Sequence, residues 1–407
     1  MRRFQKVVIE VVAIAIVLIF ILYIRKFEIE FATEEYKHLY DILMAGVLIV
    51  LAGYVSLRTG LSTSILELLF GGLGRLLGIT PTGTLAFLAE IGAIMLMFIA
   101  GTEIDINILK KKFKESVLLG SLIFLVPFVT LTITHVVWKG ALTHASILLG
   151  IALGATSVAV VYTILYDILI LYSPLGQILF SGAMICDVIS VLALSIALEK
   201  FSMLSLFYPL VLLALFLLVP KASRIIITLK SSWEFELKIT LLLVVMLAVV
   251  SSALGVHAAL TAFLLGVLIA ESAREHKILH EKIKGLGFGF FIPIFFFYSG
   301  LLIDFTALTT FFPFFILLLV LSFGGTYLGA LVAMRLCCPL KFKFKRILVV
   351  FNAKTSITII VAYEGLRAGL IDPVLYSLIT LVALTSAILV TLILRVTPTV
   401  SIEDLAL

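Results

Sequence analysis

Charged residues are scarce in this chain of 407 residues: they make up 13% of it, whereas hydrophobic residues make up 62%. A soluble domain has about 25% charged and about 45–50% apolar residues. So few charges cannot cover the surface of a soluble protein of this size, and the mean hydropathy of +1.27 points the same way. The sequence therefore predicts a polytopic membrane protein in a lipid bilayer, which excludes most classes of soluble enzyme.

Cysteine is also rare. The chain has three, Cys186, Cys337 and Cys338, which are too few for a disulfide framework, and two of them are adjacent. The sequence shows no nucleophile triad, no phosphate-binding glycine loop and no cluster of metal-ligating residues. We therefore expect no enzyme activity, no cofactor and no nucleic-acid partner, and we expect the net charge of +6 to reside in cytoplasmic loops.

Apolar segments long enough to cross a bilayer, which takes about 20 residues, recur along the whole chain. The least secure of them are 62–78 and 258–271. The sequence predicts an all-α polytopic membrane protein with about 13–14 transmembrane helices. The candidate spans are 7–24, 38–57, 62–78, 84–102, 117–137, 144–165, 174–198, 205–219, 235–254, 258–271, 286–303, 310–334, 347–366 and 374–395.

The distribution of basic residues orients these spans. With the N-terminus in the cytoplasm, 22 of the 30 Lys and Arg residues lie in cytoplasmic loops and seven lie outside. This asymmetry predicts that both termini are cytoplasmic. The first span follows basic residues, but no small-residue cleavage site comes after it, so we expect a retained anchor helix. The loops are short, which favours a prokaryotic plasma membrane as the location.

The sequence contains an internal repeat at a constant offset of 199 residues. The pattern Phe-x-x-Gly-x-x-Ile-Asp occurs at 98–105 and again at 297–304. Thr156-Ser157 recurs as Thr355-Ser356, and Pro174 recurs as Pro373. In the predicted topology the two copies cross the membrane in opposite directions. Inverted repeats are the architecture of secondary transporters, whose binding site lies between the two halves.

Both Thr-Ser pairs lie inside predicted spans, next to small residues that weaken a helix. Helices broken in mid-membrane, with their ends pointing at an ion, are the expected device in a transporter of this kind. The plainer alternative is that the hydroxyls bond to their own helix turn. Because the pairs occupy matched positions, we predict that Thr156 and Ser157 bind the ion and that Thr355 and Ser356 support the site.

Asp187 is the leading candidate for the ion-binding group. It lies in the middle of the span 174–198, where an ionisable group costs about 2.5–3.5 kcal/mol and marks an ion path by default. Its repeat mate is the neutral Ser386, so the acid exists in only one half. The sequence therefore predicts a single asymmetric site, at which Asp187 exchanges a proton for a monovalent cation.

Two further ionisable residues lie in spans. Lys354 precedes the second Thr-Ser pair, and its repeat mate is Ala155. It could neutralise the negative carbonyl ends of a broken helix, pair with Asp187, or snorkel to the cytoplasmic edge. Glu90 lies deep enough in its span to act as a secondary proton-carrying or helix-dipole group.

Several segments resemble the sodium/proton exchanger family, and specifically the second branch of the monovalent cation:proton antiporters. They are 96–105, 154–161, the span that contains Asp187, and 291–304. The likeness covers roughly 38–395, in order and with similar spacing. By this resemblance Asp187 falls at the ion-binding Asp of the family, the Thr-Ser segments match its broken helices, and Lys354 falls where relatives have a basic residue.

The resemblance also implies the sodium/proton antiporter fold with two crossed broken helices, a homodimer, and elevator-type alternating access. The predicted spans give an N-terminal anchor helix and outer loop at 1–37, a transporter unit at 38–395 and a short cytoplasmic tail at 396–407. Within the transporter unit the resemblance implies a core bundle at about 84–198 and 286–395. The intervening dimerisation or scaffold helices are then expected at 38–78 and 205–271.

Two departures from the family pattern occur together. Electrogenic relatives carry Asp-Asp where this chain has Cys186-Asp187, and they place a Lys in the helix before the second break. The corresponding span 310–334 contains no Lys. Losing both partners of that salt bridge is physically coherent, because either one alone would be a costly unpaired charge. One titrating carboxylate favours the exchange of one proton for one cation, which is electroneutral.

The sequence thus predicts a cation/proton antiporter, with Na⁺ ahead of K⁺ or Li⁺ as the cation. A channel-like K⁺ efflux pathway on the same fold is the main alternative. A transporter of organic anions that uses Lys354 as the substrate's partner is a third, and it would keep its activity in the variant Asp187→Asn.

Overall fold

The computed structural model describes residues 34–104, 112–167, 170–171, 173–198, 234–254, 258–275, 277–337 and 342–395. Within these ranges every regular element is helical, and the all-α fold class predicted from the sequence is confirmed. The predicted spans 7–24 and 205–219, most of the N-terminal segment 1–37 and the tail 396–407 lie outside the described residues.

Seven helices make up the first part of the described chain. They are α1 (Glu34–Thr59), α2 (Thr63–Leu76), α3 (Gly83–Thr102), α4 (Phe113–Lys139), α5 (His144–Gly154), α6 (Val158–Asp167) and α7 (Pro174–Leu198). The predicted span 144–165 is therefore two helices, α5 and α6, separated by residues 155–157. The interruption falls at Thr156-Ser157, as the sequence predicts.

The second part has eight α-helices and two irregular ones. The α-helices are α8 (Phe235–Ala253), α9 (Ala258–Glu275), α10 (Lys277–Leu286), α11 (Ile292–Leu301), α12 (Thr306–Thr310), α13 (Phe312–Cys337), α14 (Ser356–Arg367) and α15 (Pro373–Arg395). A π-helical turn, Gly287–Phe291, joins α10 to α11, and a 3-10 helix, Phe342–Asn352, precedes α14. The second interruption, at residues 353–355, thus falls beside Thr355-Ser356.

Nine helical segments of the described chain are long and apolar enough to span a membrane. They are Tyr40–Thr59, Gly83–Thr102, Phe113–Lys139, Pro174–Leu198, Phe235–Ala253, Ile278–Leu301, Phe312–Cys337, Ile347–Arg367 and Pro373–Leu394. Two shorter apolar helices, His144–Gly154 and Ala258–Ala270, add to these. The protein is a multi-pass membrane protein.

The helix boundaries repeat at the same offset as the sequence motifs. Helices α4 and α13 begin at Phe113 and Phe312, and α7 and α15 begin at Pro174 and Pro373, each pair 199 residues apart. Proline suits such a start because the first turn of a helix needs no backbone N–H donor from it. The halves therefore share one helix order, while their inverted orientation stays a prediction.

Packing divides the described helices into two bundles. Bundle A consists of α1, α2, α3, α8, α9, α10 and α11, and bundle B consists of α4 to α7, the 3-10 helix and α12 to α15. The main contacts between the bundles are α9 on α7 and α11 on α14. The segments 84–102 and 286–301 thus pack with the other helices of bundle A, whereas the expected division placed them in the core bundle.

Close crossings hold bundle A together, and glycine makes them feasible. A Cβ atom on Gly300 of α11 would collide with the backbone oxygen of Leu68 in α2. A Cβ atom on Gly101, its repeat mate in α3, would collide with the backbone oxygen of Phe263 in α9. Small residues that let helix backbones approach are a main source of packing energy in membranes, where burial of apolar side chains gains little.

We expect Gly300→Ala to destabilise the protein, because α2 and α11 would have to separate to admit the methyl group. The cost should be about 1–3 kcal/mol, as for overpacking elsewhere. Gly324→Ala is the matched control, since a Cβ at Gly324 in α13 meets nothing within 4 Å. Melting temperatures in detergent would test this. Equal melting of the two variants would contradict the close-crossing account.

Candidate ion-binding site

The two interruptions contact each other inside bundle B. The Thr156 hydroxyl donates to the backbone oxygen of Phe351 at 2.8 Å, across a sequence separation of 195 residues. The Thr355 hydroxyl donates to the Ser157 hydroxyl at 2.8 Å. These side chains therefore tie one break to the other instead of bonding to their own helix turn.

The last carbonyl groups of α5 receive donors from three other parts of the chain. The Ser322 hydroxyl of α13 donates to the oxygen of Leu153 at 3.1 Å. The Cys186 thiol of α7 lies 3.7 Å from the oxygen of Gly154. The Lys354 ammonium donates to the oxygen of Ala155 at 3.0 Å. The final carbonyls of a helix have no partner within it, so each buried one needs such a donor.

Lys354 is fully buried, with an exposed fraction of 0%, and it donates a second hydrogen bond to the Thr326 hydroxyl at 3.2 Å. Ala155, whose backbone oxygen it contacts, is the repeat mate of Lys354. Its ammonium lies at the negative end of the α5 dipole, where a cation is stabilised. Among the described residues, no ion pair joins Lys354 to Asp187.

Asp187 lies in α7 and faces a cavity of about 80 Å³. One oxygen of its carboxylate, Oδ1, is buried and has no hydrogen-bond partner among the described residues. Ser157, Thr355 and Ser356 line the same cavity, so residues from both breaks share it with Asp187. Carboxylate and hydroxyl oxygens suit a hard cation.

The cavity lies between the two bundles. Leu96, Glu103 and Phe263 contribute to its wall from bundle A or directly after α3, whereas Met184 and Asp187 contribute from bundle B. It reaches the ends of α2 and α3 at Ser62 and Glu103. In the predicted topology these ends lie on the cytoplasmic side.

Glu90 lies apart from this cavity. Its carboxylate oxygen Oε1 is 2.7 Å from Nη1 of Arg367, at the end of α14. The pair joins bundle A to bundle B, because Glu90 belongs to α3 and Arg367 to bundle B. In the predicted topology it lies toward the outer side, away from the ends at which the cavity is lined by Ser62 and Glu103.

Asp304, between α11 and α12, is an acid with a local structural partner. Its carboxylate accepts hydrogen bonds from the Thr306 hydroxyl at 2.7 Å and the Thr306 N–H at 2.9 Å. These two hydrogen bonds hold the pKa of Asp304 below its usual value. Its repeat mate Asp105 lies outside the described residues.

Sequence reasoning missed Glu103. This residue follows α3 directly, lines the cavity of Asp187, and forms an ion pair with Lys284 of α10 at 2.8 Å. The sequence contained a signal for this residue, since Glu103 is charged whereas its repeat mate is the neutral Leu302. The same asymmetry of charge singled out Asp187 and its mate Ser386.

We expect Lys354→Met to destabilise the protein, because it leaves the Ala155 carbonyl and the Thr326 hydroxyl without a donor. A buried polar group left unsatisfied costs about 1–3 kcal/mol. Lys354→Arg, which keeps the charge and the donors, is the control and should retain more of the stability. Melting of the purified protein in detergent measures both. A Met variant as stable as the wild type would show that the end of α5 needs no donor there.

Repeated helices, broken at matched positions, with the breaks in contact and a buried acid beside them, are typical of secondary transporters. The chain belongs to the sodium/hydrogen exchanger family, whose transmembrane family model matches residues 46–398. The family predicted from the sequence is confirmed. The match is to the transmembrane unit, so the narrower assignment to the second branch stays a prediction.

Relatives of known name are similar over most or part of their length. A Na⁺/H⁺ antiporter of Enterococcus hirae is 26% identical over 364 residues, which cover 85% of this chain and 94% of that protein. The Na⁺/H⁺-K⁺ antiporter GerN of Bacillus cereus is 25% identical, with 87% and 95% covered. A probable Na⁺/H⁺ antiporter 3 of Methanocaldococcus jannaschii is 33% identical over 229 residues, but the match spans only 54% of this chain and 58% of that protein.

A solved structure shows the same fold. The structure of the sodium proton antiporter MjNhaP1 from Methanocaldococcus jannaschii at pH 8 superposes with a TM-score of 0.68, at 18% sequence identity. The superposition covers 88% of this chain and 99% of that one. The arrangement of the helices, rather than the identity of the side chains, is what the two proteins share.

Proposed function

We propose that this protein is a secondary active antiporter that exchanges a monovalent cation for protons. The observation that carries the proposal is the carboxylate oxygen of Asp187, which is buried without a partner among the described residues, at a cavity that both contacting breaks line. The names of the relatives support Na⁺ as the first candidate cation. GerN, named as a Na⁺/H⁺-K⁺ antiporter, makes K⁺ the second.

The exchange would use Asp187 in two states. As a carboxylate it would hold the cation together with hydroxyl oxygens of Ser157 and Thr355, which line the same cavity. As a carboxylic acid it would release the cation and carry the proton. Lys354 is already bonded to Ala155 and Thr326, so its ammonium would stay in place through both states. One carboxylate then carries one cation in one direction and one proton in the other, so the exchange is electroneutral.

Alternating access would come from movement of bundle B against bundle A, as in an elevator. Few of the described helices contact each other across the two bundles, which favours this movement because a small interface is broken at low cost. The cavity reaches helix ends on one side, while the ion pair Glu90–Arg367 bridges the bundles elsewhere. Bundle A would serve as the scaffold and as the surface of a homodimer.

Asp187→Asn should abolish cation-driven proton movement, because the amide cannot take up or release the proton. Proteoliposomes with an internal pH dye and an imposed Na⁺ or K⁺ gradient would measure the flux. Asp304→Asn is the control, since Asp304 is an acid outside the cavity, and it should keep its exchange activity.

Repeating the flux measurement with the membrane potential clamped at different values tests the stoichiometry. An electroneutral exchange should run at the same rate at each value. Undiminished flux in Asp187→Asn would overturn the role of this carboxylate. Rapid cation flux that carries no protons would favour a channel-like pathway instead.

Glu90→Gln tests the movement of the bundles. Loss of the pair with Arg367 should disfavour the conformation described here by about 0.2–1 kcal/mol, the range for a partly exposed ion pair. The KM for Na⁺ should therefore rise up to about fivefold from the cytoplasmic side and fall from the outer side. The exchange Glu90→Arg with Arg367→Glu should restore both values. A change of equal sign on the two sides would contradict the assignment.

A further inference from the structure

An ion pair lies beside the Asp187 cavity, at the end of the cavity where Glu103 is partly exposed, which we call the mouth. Glu103 lines the cavity at the end of α3, and its Oε1 is 2.8 Å from Nζ of Lys284. Both side chains are partly exposed, Lys284 by 36% and Glu103 by 30%. A distance of 2.8 Å is typical of a charge-assisted hydrogen bond, so the two groups are in direct contact.

The helix that carries Lys284 is fixed to bundle A. In α10 the apolar side chains of Leu279 and Ile283 are buried. On the same helix, Lys282 forms an ion pair with Glu236 of α8 and another with Glu234. The π-helical turn after α10 brings Phe288 to the wall of the cavity. Lys284 is therefore held near the mouth, because contacts both before it, at Lys282, and after it, at Phe288, fix the position of this segment.

We propose that Glu103 is a cation-attracting residue of the transport path, and that Lys284 acts as a tethered cation which an incoming ion must displace from it. The proposal rests on the antiporter function proposed above and adds a second carboxylate to the path. Asp187 would bind the ion inside the cavity, and Glu103 would receive it first from the cytoplasmic side.

The charge at the mouth explains why both residues matter. The pair contributes one carboxylate and one ammonium to the mouth, so its own net charge is zero. Removing Glu103 makes the mouth more positive by one charge, which repels cations, and removing Lys284 makes it more negative by one charge, which concentrates them. Removing both leaves the net charge of the mouth as it is in the wild type. An ion pair that only stabilises the fold, without altering the potential of the path, predicts shifts of one sign, since either single change would break the same bond.

The test is the KM for Na⁺ in everted membrane vesicles, which expose the cytoplasmic face to the added cation. We expect Glu103→Gln to raise the KM by about threefold to tenfold and Lys284→Gln to lower it by a similar factor, as expected for one unit of charge at a narrow opening. The double variant should return to near the wild-type value. An inert salt at about 1 M should shrink the opposite shifts, because the Debye length falls to about 3 Å.

Lys282→Gln is the matched control, because it removes the same charge from the same helix at a residue that pairs with Glu234 and Glu236 instead. Its KM should stay within about twofold of the wild type. Shifts of equal sign in Glu103→Gln and Lys284→Gln would overturn the proposal and leave the pair a structural contact. Failure of the antiporter function itself would appear separately, as absent Na⁺-dependent proton flux in the wild type.

Discussion

The end of α5 is the place on which the rest of the site depends. A helix that stops within a membrane exposes carbonyl groups that no water can satisfy. Here Ser322, Cys186 and Lys354 supply donors to three successive carbonyls, from α13, from α7 and from the second break. These contacts bring α7 against the breaks, and so they place Asp187 at the cavity. The interruption of α5 is thus stabilised by α7, α13 and the second break, which are also the elements around the candidate site.

The two buried ionisable residues of the site, Lys354 and Asp187, differ in their hydrogen bonding. Lys354 is buried and donates two hydrogen bonds, while an oxygen of Asp187 is buried without a partner among the described residues. A buried charge with partners is a structural element, whereas a buried carboxylate oxygen without one marks where a ligand is needed. Helix α13 has no Lys of its own. Its Thr326 instead accepts a hydrogen bond from Lys354, which comes from the second break.

Much of this fold could be predicted from the sequence because a bilayer imposes simple rules. Long apolar segments gave the spans, and polar Thr-Ser pairs at matched positions gave both interruptions. The partners of Lys354 could not be chosen, since a lysine in a span can equally reach a carbonyl end or an acid. The pairing of Glu90 with Arg367 was missed for a related reason: the two residues are far apart in sequence and only packing brings them together.

The division into bundles was the hardest feature to predict. Residues 84–102 were expected in the core bundle, yet α3 packs with α9 and α11. An apolar face that meets lipid and one that meets another helix have similar composition, so polarity does not reveal which helices are neighbours. Glycine gives a partial signal, because Gly101 and Gly300 mark the closest crossings of bundle A.

The hydrogen bond between Lys354 and its own repeat mate has a consequence for how such a protein could have arisen. If the two halves descend from one duplicated segment, identical halves could not have carried this lysine. Two copies would have buried two ammonium groups close together, where like charges repel strongly because the interior has a low dielectric constant. The lysine would therefore postdate the duplication, and its arrival would have made the halves no longer interchangeable.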